Sequence, residues 1–143
     1  MRDEASVDDG RLSTPMANRV GAQVSATGAD LWRLRHAVRR WLCNLGLEDD
    51  VVDDIVLACA EAGTNAVEHA GLGADATFSF EAQVDRGGWL HVTVHDEGHW
   101  REPRRDAGRG RGFAIMRTVM DDVELCTGSN GTTVKMHKRL GAD

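Results

Sequence analysis

The chain has 143 residues, of which 41% are apolar, and this size and composition are those of a single globular domain with a buried core. Its net charge of -6 argues against a general nucleic-acid-binding protein, because phosphate contacts require a basic surface. No apolar run approaches the roughly 18 residues that span a bilayer, and the acidic N-terminus does not resemble a signal sequence, so a cytoplasmic protein without membrane contact is expected.

The first elements predicted along the chain are a lead-in, a strand and a helix. Residues 1–18 are polar and show no sustained period, so they are expected to be a flexible lead-in to one domain over residues 19–143. Residues 20–27 fit a strand. A helix is expected from Asp30, a plausible N-cap, to a stop at Gly46, and its arginine-rich face is either solvated or a docking surface for an acidic protein.

The second predicted helix carries the polar row on which the functional prediction depends. Over residues 51–70, apolar side chains recur at helical spacing and indicate a face packed on a core. Glu61, Asn65 and Glu68 stand at i, i+4 and i+7, so an amide lies between two carboxylates on another face. Such a row suits a binding or catalytic site, and an ordinary solvated helix face explains it equally well at this point.

The rest of the chain predicts an antiparallel hairpin, a third helix and a second pair of strands. Residues 77–84 and 89–95 alternate polar and apolar side chains on either side of the turn sequence DRGG. Residues 113–120 fit a helix, and residues 122–127 and 132–139 fit strands that flank GSNG. Helices grouped with antiparallel strands indicate an α+β sandwich in which one sheet carries a helical layer.

Two loops add candidate binding residues. Asp96 and Gly98 follow a strand, where a carboxylate can accept a hydrogen bond from adenine's exocyclic amine and a glycine lets a flat ring approach the backbone; a plain turn is the alternative. Residues 101–112 contain five arginines and two acids, and glycines precede the next helix. This segment is either a phosphate site, formed with Gly110 and Gly112, or a disordered basic loop.

The cysteines and the histidines suggest no further chemistry. Three single cysteines without a CxxC pair favour buried free thiols over disulfides or zinc. These are Cys43, Cys59 and Cys126. His91, His95 and His99 recur every four residues and would share one side of a strand, but no accompanying motif supports a metal site there.

Taken in order, these segments resemble the ATP-binding fold shared by gyrase, Hsp90, histidine kinases and MutL, and most closely the RsbW-type anti-sigma factor serine kinases. Within residues 30–140, EAGTNAVEH resembles the N box, DEG the first glycine box, GRGFAIM the second and GTTV the closing Gly-Thr element. The resemblance implies the histidine kinase-like ATPase (Bergerat) fold. That fold is a two-layer α/β sandwich with a mixed, mostly antiparallel sheet covered on one face by helices.

The resemblance also implies a role for each candidate residue. Glu61 would act as the catalytic base or orient the attacking serine hydroxyl, and Asn65 would supply an oxygen ligand to Mg²⁺. Asp96 would bind the adenine of ATP, with Gly98 in the same glycine box and Thr132 bonding nearby. The loop residues that would close over the triphosphate are Arg109, Gly110 and Gly112.

The implied function is that of an ATP-dependent protein serine kinase that also binds a sigma factor. Its substrate would be one serine of a small STAS-type antagonist protein. A homodimer through the first strand and the helix bearing Trp32 and Trp41 is also implied, with no direct contact to nucleic acid.

Two departures from the family pattern support a second interpretation. Trp100 stands where the first glycine box usually has its second glycine, and only eleven residues separate Gly98 from Gly110. These features favour a non-catalytic interaction module that binds sigma factor or antagonist without phosphoryl transfer. A third interpretation is a sensor-kinase ATPase module that lacks its dimerisation helices.

Overall fold

The computed structural model describes residues 18–25, 27–70, 77–97, 111–129 and 131–140, which form five strands and three helices. The strands are β1 (Arg19–Ser25), β2 (Thr77–Val84), β3 (Trp89–Asp96), β4 (Asp122–Gly128) and β5 (Gly131–Arg139). The helices are α1 (Gly28–Asn44), α2 (Asp49–Ala70) and α3 (Arg111–Val119). Apart from Asn18, the predicted lead-in lies outside the described residues. None of the described helices is long and apolar enough to cross a bilayer.

The five strands form one sheet in the order β1-β2-β3-β5-β4. Each neighbouring pair of described strands is antiparallel, so the sheet has none of the parallel pairing that a mixed sheet would include. Strand β5 lies between β3 and β4, although it follows both in the chain. The edges of the sheet are therefore β1 and β4.

The two faces of the sheet differ in character because side chains alternate along each strand. On β3 the buried series is Leu90, Val92, Val94 and Asp96, and the outward series is His91, Thr93 and His95. The buried series faces the helices, with α2 over β2 and β3 and α1 against β1. We call this side the covered face and the opposite, polar side the open face.

Helix α1 begins one turn before the predicted N-cap. Thr27 caps the helix, and its Oγ1 accepts the backbone N–H of Asp30 at 3.2 Å. Asp30 instead lies in the first turn, where a negative charge is favourable beside the positive end of the helix dipole. The predicted stop is confirmed at Gly46, which has a φ of +86°, the left-handed conformation that glycine adopts most readily.

Helix α2 lies close to its neighbours at Gly63. A Cβ at this position would be 2.6 Å from Cδ1 of Leu31 on α1 and 3.7 Å from Cζ of Phe78 on β2. Glycine in a helix interior costs about 1 kcal/mol relative to alanine. Here it lets α2 lie close to Leu31 of α1 and to Phe78 on the covered face.

The expectation that all three cysteines are buried is wrong. Cys43 and Cys126 are exposed, and Cys59 is buried.

The two tryptophans of α1 lie on different faces of the helix. Trp41 lies in the core with 3% of its surface exposed, whereas Trp32 is 58% exposed.

Candidate functional site

The α2 polar row lies beside the start of α3. Glu61 and Asn65 are partly exposed, and the buried Gly112 lies against both. A Cβ on Gly112 would be 3.0 Å from Oε1 of Glu61 and 3.5 Å from Nδ2 of Asn65. The glycine predicted to contact phosphate therefore lies beside the predicted base and metal ligand, and a larger residue would displace the Glu61 carboxylate.

A second group of candidate residues lies where β3 ends and β5 begins. Asp96 and Thr132 are cross-strand partners, and both point to the covered face with 3% and 2% of their surface exposed. The register of the sheet thus places Thr132 beside Asp96, and its bond near the adenine ring stays a prediction.

Gly131 makes this pairing possible, and the sequence analysis assigned it no role. It has a φ of +119°, and a Cβ there would be 2.1 Å from the backbone oxygen of Asp96 and 2.8 Å from Cα of Glu97. No L-residue with a side chain fits such a position without moving the backbone. Its position directly before Thr132 is the only sequence feature that could have pointed to it. Its close approach to β3 depends on a strand pairing that the sequence does not reveal.

The two groups lie on the same side of the sheet. Phe78 pairs with Asp96 across β2 and β3, and its Cζ would be 3.7 Å from a Cβ on Gly63 of α2. Asp96 thus points to the side of the sheet that α2 covers.

Unpaired polar atoms mark both groups. Three buried side-chain atoms have no hydrogen-bond partner among the described residues: Nδ2 of Asn65, Oγ1 of Thr132 and Nε1 of Trp41. Leaving a buried polar group unpaired costs about 1–3 kcal/mol. Two of the three belong to the candidate site, where an amide and a hydroxyl offer both donors and acceptors to a polar ligand.

Part of the predicted site lies outside the described residues. These positions are Gly98, Arg109 and Gly110, together with Trp100. The site that the structure describes therefore consists of the two α2 residues, Gly112, and the pair formed by Asp96 and Thr132.

Comparison with known proteins identifies the family of this chain. Residues 24–138 match the family model described as histidine kinase-like ATPase domain. The serine-protein kinase RsbW of Bacillus subtilis (strain 168) is 31% identical, and the match covers 69% of this chain and 71% of that protein. The anti-sigma F factor of Geobacillus thermodenitrificans (strain NG80-2) is 30% identical, with 87% of this chain and 94% of that protein covered.

A solved structure agrees with the sequence matches. The structure of the RsbU and RsbW domains of Rv1364c from Mycobacterium tuberculosis aligns with a TM-score of 0.72 and 25% identity. The alignment covers 92% of this chain and 34% of that longer chain. The chain belongs to the histidine kinase-like ATPase domain family, in the group that contains the anti-sigma F factors and the RsbW serine-protein kinases.

Proposed function

We propose that this protein is a cytoplasmic, ATP-dependent protein serine kinase and anti-sigma factor. It would bind ATP between α2 and the end of the sheet formed by Asp96 and Thr132, and transfer the γ-phosphoryl group to a serine of a small antagonist protein. The observation that carries the proposal is the pair of buried atoms, Nδ2 of Asn65 and Oγ1 of Thr132, that lack partners among the described residues in two segments of the same family site.

Asp96 would select adenine over guanine. Its carboxylate can accept a hydrogen bond from the exocyclic amine of adenine, and Thr132 beside it can donate to or accept from the same ring. Guanine presents a carbonyl oxygen in place of that amine, which would leave two acceptors facing each other. The buried position of both side chains strengthens this discrimination, because an unpaired polar group is costly where water is excluded.

The phosphate end would be held by α2 and the start of α3. Asn65 fits a magnesium ligand, since Mg²⁺ prefers oxygen ligands, keeps several waters and takes the rest of its coordination from phosphates. When bound, Mg²⁺ supplies positive charge that stabilises the phosphate oxygens during transfer. Gly112 leaves room for the amide and carboxylate beside it, and Gly98, Arg109 and Gly110 are proposed to complete the ATP contacts.

Glu61 would handle the proton of the substrate serine. It lies one turn before Asn65 on the same helix face, with its Oε1 next to Gly112. The serine oxygen forms a bond to the γ-phosphorus while the bond from that phosphorus to the ADP oxygen breaks, and the serine proton passes to the Glu61 carboxylate.

The partners would be a sigma factor and a STAS-type antagonist. The relatives are named for an anti-sigma role and for serine-protein kinase activity. A shallow groove on α1 and α2 is lined by Trp32, Arg35, His36, Arg39 and Val56. Arg35 and His36 suit an acidic protein surface, whereas Arg39 already pairs with Asp53 at 2.8 Å. A homodimer through β1 and helix α1, which bears Trp32 and Trp41, belongs to the same proposal.

A second candidate function is binding without phosphoryl transfer. Trp100, which replaces the second glycine of the first glycine box, favours it because a tryptophan cannot adopt glycine's backbone conformations without strain. In that case the protein would sequester sigma factor or antagonist as an interaction module.

Phosphoryl transfer to STAS-type antagonists from the same genome, measured with Mg-ATP, tests the proposal. We expect phosphoserine on one antagonist with the wild-type chain, and none with Asn65→Ala or Glu61→Gln. Glu68→Gln is the matched control, since Glu68 lies on the same helix but is exposed and has no proposed contact to ATP.

Calorimetric titration with Mg-ADP separates the two functions. Binding together with transfer supports the kinase, and binding without transfer supports the interaction module. Transfer that persists in Asn65→Ala contradicts the magnesium assignment, and a wild-type chain that binds no nucleotide contradicts the whole site.

A further inference from the structure

We propose that the open face carries a second, nucleotide-independent metal site that binds a first-row divalent transition ion such as Zn²⁺. Its ligands are Asp122 and Glu124 of β4 and His137 of β5. One ligand atom from each of these residues lies within 4.8 Å of the other two. Nε2 of His137 is 3.7 Å from Oε2 of Glu124, a separation that an ion about 2 Å from each atom can bridge with little side-chain movement.

The register of the sheet brings these side chains together. Asp122 is the cross-strand partner of His137, and Glu124 follows two residues later, so its side chain points to the same face. His91 on β3 is the partner of His137 on its other side. A row of three side chains therefore crosses β3, β5 and β4 on the open face, and the backbone pairing fixes their spacing.

A chain of hydrogen bonds orients the histidine. Nε2 of His91 is 2.8 Å from Oδ2 of Asp85, and Nδ1 of His91 is 2.8 Å from Nδ1 of His137. A carboxylate only accepts, so Nε2 of His91 donates to Asp85; in the neutral ring its Nδ1 then accepts from Nδ1 of His137. This leaves the lone pair of His137 on Nε2, the atom nearest Glu124.

Asp85, at the start of this series of hydrogen bonds, is held by several donors. The hydrogen bond from His91 and the backbone N–H groups of Trp89 and Gly87 hold the pKa of the Asp85 carboxyl below its usual range. Asp85 therefore remains an acceptor at neutral pH, which keeps the proton of the His91 ring on Nε2.

The lone pair of His137 and the carboxylates of Asp122 and Glu124 then converge, with Lys135 as the cross-strand partner of Glu124. A divalent cation among the three ligand atoms would be held by all of them. Histidine ligands of metals commonly donate their other ring N–H to an acceptor that fixes the tautomer, and His91 would serve that purpose here. One imidazole nitrogen with two carboxylates favours zinc and similar ions over magnesium, which prefers oxygen ligands alone.

The histidine series predicted from the sequence does not form this site. His91 and His95 do share the open face, and His99 lies outside the described residues. His95, however, bonds through Nδ1 to Oγ1 of Thr133 at 2.7 Å and does not reach the carboxylates of β4 by any contact in the described part of the chain. The ligand is instead His137, which comes from a strand outside that series.

Titration of the full chain with ZnCl₂, without nucleotide, tests the site. We expect one ion per chain with the wild type, and binding weakened at least about tenfold by His137→Asn and by Glu124→Gln, each of which removes a ligand. His95→Asn is the matched control, because it removes a histidine from the same face while leaving the three ligands in place. Asn65→Ala should also leave zinc binding unchanged, since that residue lies on the other side of the sheet.

The role of His91, which positions the ring of His137, is tested separately. His91→Gln should weaken zinc binding by about tenfold to a hundredfold without removing a ligand. Long-range ¹⁵N–¹H spectra of the histidine rings should show His137 protonated on Nδ1 before zinc is added, and a shift of its Nε2 signal after. Thermal unfolding in the absence of zinc checks that each variant folds.

Four results would overturn the proposal. Three are a wild-type chain that binds no zinc, equal affinity in the wild type and His137→Asn, and a His137 Nε2 signal that zinc does not move. The fourth is a His137 that stays doubly protonated in the presence of zinc, because neither of its ring nitrogens could then bind the ion.

Discussion

The covered and open faces of the sheet are formed by the same strands but hold their polar groups differently. On the covered face, apolar side chains continue along β3 until Asp96, which meets Thr132 at the end of the sheet. On the open face, ionisable side chains extend across several strands, and His91 and His137 contact each other directly.

This difference affects how each site can be recognised. On the covered face, burial makes an unpaired polar atom costly, and Oγ1 of Thr132 has no hydrogen-bond partner among the described residues. On the open face water can satisfy any single group, so an unpaired atom there has little meaning. What indicates a site on that face is a set of side chains whose hydrogen bonds fix one another's orientation.

The largest expected loss of stability comes from a substitution at Gly131, where the start of β5 lies against the end of β3. Gly131→Ala should destabilise the fold by about 3 kcal/mol or more, because the left-handed backbone is strained for alanine and its Cβ would overlap the backbone of Asp96. Urea unfolding followed by circular dichroism measures this. Gly128→Ala is the control, since Gly128 pairs with Gly131 and has open space around it; equal stability of the two variants would contradict the close approach.

The next effect concerns the polar end of the covered face. Asp96→Asn should weaken ADP binding by roughly tenfold to a hundredfold, the equivalent of one hydrogen bond to a charged group, and reduce the preference for ATP over GTP. Calorimetry with both nucleotides measures this. Glu97→Gln, one residue later and exposed, should bind ADP like the wild type. If the wild-type chain binds ATP and GTP equally, the adenine assignment is wrong.

A pair of adjacent substitutions on β3 compares the two faces directly. Val92→Thr should cost about 1–2 kcal/mol, because it places a hydroxyl in a fully buried, apolar position at nearly constant volume. Thr93→Val makes the reverse change on the open face and should alter the free energy of unfolding by less than about 0.5 kcal/mol. Chemical denaturation of both variants gives the comparison, and equal losses would mean that the faces are not distinguished by burial.

The last prediction concerns the accessibility of the three cysteine thiols and involves no change in stability. Burial raises the pKa of the Cys59 thiol to about 12, so at pH 8 this cysteine is both inaccessible and protonated. Cys43 and Cys126 are exposed and should react with a thiol reagent in the native protein. We expect two thiols to be labelled before unfolding and three after; rapid native labelling of all three would place Cys59 at the surface.

The elements were predictable where the signal is local. The β2–β3 hairpin was placed to within one residue because alternation defines its strands and because the Asp85 carboxylate closes the turn onto the backbone of Gly87 and Trp89. The start of α1 was misplaced because Thr27 and Asp30 are both good capping residues, and which one caps depends on the chain's exit from β1. The spacing of apolar residues also could not predict the exposure of a single residue such as Cys43.

The candidate site was predictable within each element and not between elements. Helical spacing put Glu61 and Asn65 on one face of α2, the end of a predicted strand indicated Asp96, and the family resemblance supplied Thr132. The part played by Gly131 and the contact between His91 and His137 both depend on β5 lying beside β3. The sequence gives no local sign of this strand order. A simple meander, in which strands pair in chain order, would have placed β4 beside β3.

The internal position of β5 also has a consequence for synthesis on the ribosome. Strand β4 cannot join the sheet until β5 has emerged, because its neighbour is β5 and not β3. A nascent chain that ends before residue 131 therefore lacks Thr132 and exposes the hydrogen-bonding edge of β3. Such a chain should be prone to pair with other strands until β5 has emerged and covered that edge.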